Sequence, residues 1–161
     1  MASYLRSAQA QRNRPASQAR GPEEIVLPFS YALAAALVVN DVIGLQKLAP
    51  RHVLTDLFVS VPDLDTNGAP AIVLDIGLWE DDSDASGTIP TVANADTIVD
   101  GSTAGQAGGL ITAPNVATFL TEAISNATRI IGMLVAVAPA TGATSGTIAG
   151  YFRVRNARYD D

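Results

Sequence analysis

Apolar positions along this chain recur mostly every second residue. In HVLTDLFVSV (52–61), Val53, Thr55, Leu57, Val59 and Val61 fall on one side. In AIVLDIGLW (71–79), Ile72, Leu74, Ile76 and Leu78 do the same. A period of two marks a strand with one buried face. TIAGYFRVRN (147–156) sets Ile148, Phe152 and Val154 against Tyr151, Arg153 and Arg155. RIIGMLVAVA (129–138) is apolar at both parities and reads as a central strand covered on two faces. IVLPFSY (25–31) and VIGLQKL (42–48) add two more strands. Asn40-Asp41, Pro50 and PATGATSG (139–146) supply the turns between them.

Three stretches are less regular. Residues 33–39 (LAAALVV) are ambiguous: Ala favours helix, whereas the shortness of the run and the turn after it favour strand. WEDDSDASG (79–87) is acidic and, with the Gly-, Ala-, Thr- and Asp-rich residues 88–115, reads as one long loop. VATFLTEAIS (116–125) fits a short helix or an irregular strand. Six to eight strands with little helix predict an all-β fold. Its simplest form is an antiparallel β-sandwich, jelly-roll-like, over residues 23–161. A length of 161 residues fits one domain, and no internal repeat of fixed period is present.

Residues 1–22 stand apart. They hold Arg6, Arg12, Arg14 and Arg20, no acid, and few large apolar groups, so they build no core of their own. Pro15 and Pro22 argue against one continuous helix. We read them as a flexible, extended, basic N-terminal arm whose four arginines dock on a protein. Arg-rich segments also bind phosphate, but four arginines without a lysine cluster or interleaved aromatics point away from nucleic acid. The other six basic residues face all sixteen acids, so the body is strongly acidic.

Composition narrows the chemistry. Only 16% of residues are charged and 48% are hydrophobic, against about 25% charged in an average domain. That balance suggests surface covered by other copies or by a larger assembly. With no Cys and His52 the single His, thiolate chemistry and His-based zinc sites are excluded. No apolar run approaches the ~18 residues of a membrane span. No signal-peptide core precedes Glu24, so the expected compartment is a reducing cytoplasm. No phosphate-binding loop, dinucleotide fingerprint or Gly-x-Ser-x-Gly elbow occurs. The reading is of a chain that is not an enzyme, with no cofactor.

Two acidic patterns remain as candidates. Asp63, Asp65, Asn67 and Gly68 match the start of a calcium loop, but Leu74 stands where the closing Glu is needed. The same residues are those of tight turns, and the turn is the reading preferred. Glu80, Asp81, Asp82 and Asp84 read as a solvated loop rather than a cation site. Gly101, Gly105, Gly108 and Gly109 are expected to supply flexibility. His52 is read as a surface or satisfied core residue, and Trp79 and the scattered Phe and Tyr residues as core or interface.

One stretch also carries a family likeness. It runs from Pro28-Phe29-Ser30-Tyr31 through Ala35-Ala36-Leu37 and Asn40-Asp41-Val42-Ile43 to Leu45 and Leu48-Ala49-Pro50. It continues with 63–70 (DLDTNGAP) and Leu74-Asp75-Ile76-Gly77-Leu78, and Arg129-Ile130-Ile131 follows later. This pattern resembles the head decoration, or cement, proteins of tailed bacteriophages. The resemblance implies a jelly-roll sandwich, often a homotrimer, seated on the outer capsid surface and bridging capsomers of the major capsid protein. Another virion module, such as a tail, fibre or receptor-binding domain, is the alternative.

Overall fold

The computed structural model describes residues 3–7, 10, 23–81, 92–112 and 125–157. They form nine strands: β1 (Tyr4–Arg6), β2 (Glu24–Ala32), β3 (Val42–Leu48), β4 (His52–Val61), β5 (Val73–Glu80), β6 (Val92–Ser102), β7 (Gly109–Ile111), β8 (Arg129–Val137) and β9 (Thr147–Asn156), with one 3-10 turn at Ala104–Gln106. One sheet runs β1-β3-β8-β5-β6 and the other β2-β9-β4-β7. From β2 to β9 the chain changes sheet at every connection except β5–β6, which is the jelly-roll order. All pairs are antiparallel but one: β1 lies parallel to β3, with Tyr4 opposite Val42 and Arg6 opposite Gly44.

The core lies between the sheets. Ile43, Leu45, Leu74, Ile76, Ile131 and Met133 of the first sheet face Leu27, Phe29, Val59, Ile148, Phe152 and Val154 of the second. Phe29 and Phe152 stack with centroids 4.9 Å apart. Full burial of an aliphatic or aromatic side chain stabilises by about 1.5–3 kcal/mol, so alternate apolar positions on paired strands suffice to fix register. β8 is buried on both faces: Ile131, Met133 and Val135 enter the main core, while Ile130 joins Val42 and Trp79 behind the sheet. Gly150, between Ile148 and Phe152, lets β4 and β9 approach, because a β-carbon there would run into the Phe58 carbonyl.

Several expectations change. In β4, Leu57, Val59 and Val61 are buried, but Val53 and Thr55 do not share their face. The pairing with β9 slips between Leu54 and Asp56; this extra residue inverts the alternation, so that Leu54 packs on the core instead. Residues 33–39 are neither helix nor strand. They fold as a loop pinned by buried Leu33 and Leu37. The expected long loop 88–115 contains β6 and β7. The β5–β6 pairing is irregular at three places, which erases a period-two signal, and β7 has three residues. Its glycines are conformationally defined: Gly108 takes φ +74 and packs against the Asp63 backbone. Tyr4–Arg6, read as part of the arm, form an edge strand of the sandwich. Of 116–125, only Ser125 lies within the described residues.

Candidate interface: the two ends of the sandwich

Strand direction gives the molecule two distinct ends. At one, here the loop end, sit the connections 33–41, 62–72, 103–108 and 138–146. At the other, the arm end, sit the β3–β4 turn, the start of β2 and the ends of β5 and β9.

The loop end is organised by Asp65. Its carboxylate is almost fully buried, at 1% exposure. Oδ2 accepts the N–H of Ala71 at 2.7 Å, Ala140 at 2.8 Å and Ile72 at 3.3 Å. Oδ1 accepts Thr141 at 2.9 Å and Asn67 at 3.4 Å. Burial alone would raise the pKa of this carboxyl. The N–H groups of Ala71, Thr141, Ala140 and Ile72 outweigh it and hold the group well below the ordinary carboxylate value. Asp65 thus joins two loops far apart in sequence. Thr66 N–H to the Thr141 carbonyl (2.9 Å) and Ala143 N–H to the Leu64 carbonyl (3.1 Å) tighten the join. Leu64 N–H reaches the Gly105 carbonyl at 2.8 Å, tying in the 3-10 turn. Ala36 packs against Gly142 with no room for a β-carbon between them.

At the calcium-like motif the side chains make the bonds of a tight turn. Asp63 Oδ1 accepts the Asp65 N–H and Asn67 Oδ1 accepts the Ala69 N–H. The oxygens a cation would need are turned onto amides. Among the described residues no group of three or more His, Asp and Glu side chains could hold a metal ion. Sequence reasoning found Asp65 but not its role, since Ala140 and Thr141 lie 75 and 76 residues away.

Asp41 repeats the device on a smaller scale. It is buried and accepts the N–H of Ser3 (2.6 Å) and Val38 (2.8 Å), linking the start of β1 to the 33–41 loop. Above these anchors the loop end is apolar: Val38, Val39 and Val137 are 39%, 44% and 44% exposed. Residues 34–36, all Ala, are exposed as well. The stretches 33–40, 66–72, 103–107 and 138–147 contain no charged residue. The exposed charges nearest to them along the chain are Asp63 and Asp100, each three residues from a stretch.

The arm end carries charges of both signs: Glu23, Glu24, Lys47, Arg51, Glu80, Asp81, Arg129 and Arg155. Lys47 is buried on the outer side of its sheet, with Nζ 3.1 Å from Asp81 Oδ2. Asp81 belongs to the stretch expected to be solvated, yet its side chain is 11% exposed. A lone Lys within VIGLQKL was the sequence signal for such a pair. His52 is buried, with Nδ1 2.9 Å from the Pro50 carbonyl, as expected of a satisfied core histidine. Arg51 donates to Asn126 Oδ1 at 3.2 Å. Of the four arm arginines, Arg6 sits on β1, and Arg12, Arg14 and Arg20 lie outside the described residues. Ser7 and Ala10, just after β1, are buried, and Ser7 Oγ donates to the Leu45 carbonyl. The arm therefore begins pinned along β3.

No protein-family model and no curated protein matches the chain. Among solved structures, a chain of the capsid of Ralstonia phage GP4 is 30% identical, over 95% of this chain and 97% of that one, with a TM-score of 0.81. The chain belongs to that phage capsid protein's family. A chain of the cyanophage Pam1 capsid asymmetric unit shares the fold, with 18% identity over 89% of this chain and 92% of that one and a TM-score of 0.60. The family places this protein in the virion, in a structural role. Its likeness to the GP4 capsid chain spans both ends of the sandwich.

Proposed function

We propose that this capsid protein is a decoration protein. It sits on the outer surface of a phage head as a homotrimer and bridges neighbouring capsomers of the major capsid protein. The observation that carries the reading is the end-to-end likeness to the GP4 capsid chain. The division of the surface into a charged and a charge-poor end fits a molecule with two kinds of contact. The mechanism is mechanical. Area buried across the seam between capsomers resists their separation, and repetition over the lattice multiplies a modest local affinity. The acidic body suits an outer position, away from packaged DNA.

In this reading the docking element is the basic segment. Arg12, Arg14 and Arg20 pair with carboxylates on the shell, for which a planar guanidinium is well shaped. Arg6 lies where the segment leaves the sandwich. The test uses particles stripped of this protein and the purified full chain. Co-sedimentation and a higher bursting temperature of the refilled heads are expected. Replacing Arg12, Arg14 and Arg20 together with Ala should weaken binding by tenfold or more, roughly 1.4 kcal/mol, with the melting temperature unchanged. Wild-type chain that leaves stripped heads bare would overturn the function. Unchanged binding by the triple variant would remove the arm from it.

A further inference from the structure

We infer that the loop end is the surface through which copies of this chain meet around their symmetry axis, leaving the charged arm ends to point outward. The inference rests on the proposed self-association and says where it occurs. Near a rotation axis each residue approaches its own copy, so any charge there faces a like charge. A chain with net charge −6 and a still more acidic body has few places where that cost is avoided. The loop end is such a place across its four uncharged stretches, with exposed Asp63 and Asp100 beside them in sequence. Its four uncharged stretches supply 26 residues that are not buried, comparable with the ~20–30 that each partner gives a standard interface.

The surface is also composed and held as an interface core should be. Val38, Val39 and Val137 stand exposed among small residues, and interface cores are depleted in charge. The loops beneath them are fixed by the Asp65 and Asp41 bonds, so little ordering entropy is lost on contact. The outer face of the second sheet is the competing surface. It exposes Val26 and Leu110, but it also carries Glu24, Asp56 and Arg153. With the loop ends together, three arm ends splay apart and reach different capsomers.

The absence of cysteine makes a direct test possible. Val39→Cys and Val26→Cys are made singly in the full chain, oxidised, and run on a denaturing, non-reducing gel. Val39→Cys should give covalent dimers, and Val26→Cys should remain a single chain. In parallel, Val39→Asp with Val137→Asp should convert the oligomer to monomer in sedimentation at a concentration where wild type is assembled, with circular dichroism unchanged. Cross-linking through Val26 instead of Val39, or a double variant that stays assembled, would overturn the assignment. A wild-type monomer would overturn self-association as well. A wild-type oligomer that cross-links through Val39 but fails to bind heads would sink the decoration reading and support this one.

Discussion

At the loop end, one carboxylate gathers amides from two loops and makes a charge-poor surface rigid. At the arm end, the corresponding buried charge is an ion pair, Lys47 with Asp81, and the charges around it are numerous. Both ends bury a carboxylate, but the partners differ in kind. Asp65 is neutralised by backbone dipoles, which leave no side-chain charge at the surface. Asp81 is matched by a single cation, and its Oδ1 has no hydrogen-bond partner among the described residues. The first arrangement suits a surface that must meet its own copy; the second tolerates a surrounding of mixed charge.

The largest effect is expected at Asp65. Asp65→Ala leaves several buried N–H groups without an acceptor, and each such loss is costly. The melting temperature should fall on the order of 10 °C, with faster amide exchange at Ala71, Ala140 and Thr141. The pH dependence has a definite sign. The folded pKa lies below the unfolded one, so the stabilisation is fully present above about pH 4. It is lost progressively as the pH falls toward the folded value. A variant whose 138–146 loop exchanges no faster than wild type would show that the loop end is held by packing alone.

Lys47→Ala tests the arm end. Removing one member of a buried pair costs about 3 kcal/mol, measured by urea unfolding. Lys47→Met combined with Asp81→Leu should recover most of that loss, since well-packed apolar groups can replace a buried pair. No such apolar rescue is expected at Asp65, whose partners are backbone amides that no neighbouring substitution removes. If Asp65→Leu proved as stable as the rescued pair, the contrast between the ends would collapse.

Much of this architecture could be read from the chain, and the exceptions have physical causes. β2, β3, β5, β8 and β9 were legible because paired interior strands impose alternation or full burial, as with Ile72, Leu74, Ile76 and Leu78. β6 was hidden because it is an edge strand with irregular pairing and small polar residues, among them Asn94, Thr97 and Asp100. β1 was hidden because three residues in a polar segment carry no period. The bulge at Leu54/Asp56 reversed a correctly seen alternation. The motif at Asp63–Gly68 drew attention to the right carboxylate, but nothing local says that its partners come from the loop after β8. The charge-poor end was written in the sequence as four separate uncharged stretches; only the topology brings them together.

The smallest effect concerns the border between the two regimes. Asp75 on β5 lies beside Asp96 and Asp100 of β6, flanking the loop end with negative charge. Burial raises its pKa most. The Gly101 N–H, 2.8 Å from Oδ1, opposes this, and the charges of Asp100 and Asp96 add to the rise. A folded pKa above the unfolded one means that ionised Asp75 destabilises the fold. That penalty is full above the folded pKa and disappears as the pH falls below the ordinary carboxylate value of about 3.9. Asp75→Asn keeps an acceptor for Gly101 while removing the charge. With solvent screening it should stabilise by roughly 0.5 kcal/mol at pH 7, the difference from wild type closing in acid. If the acids also keep copies from pairing along this flank, the same variant should associate more tightly or less specifically. Unchanged assembly with the expected gain in stability would confine the role of Asp75 to the fold, and leave the uncharged stretches alone in setting where copies meet.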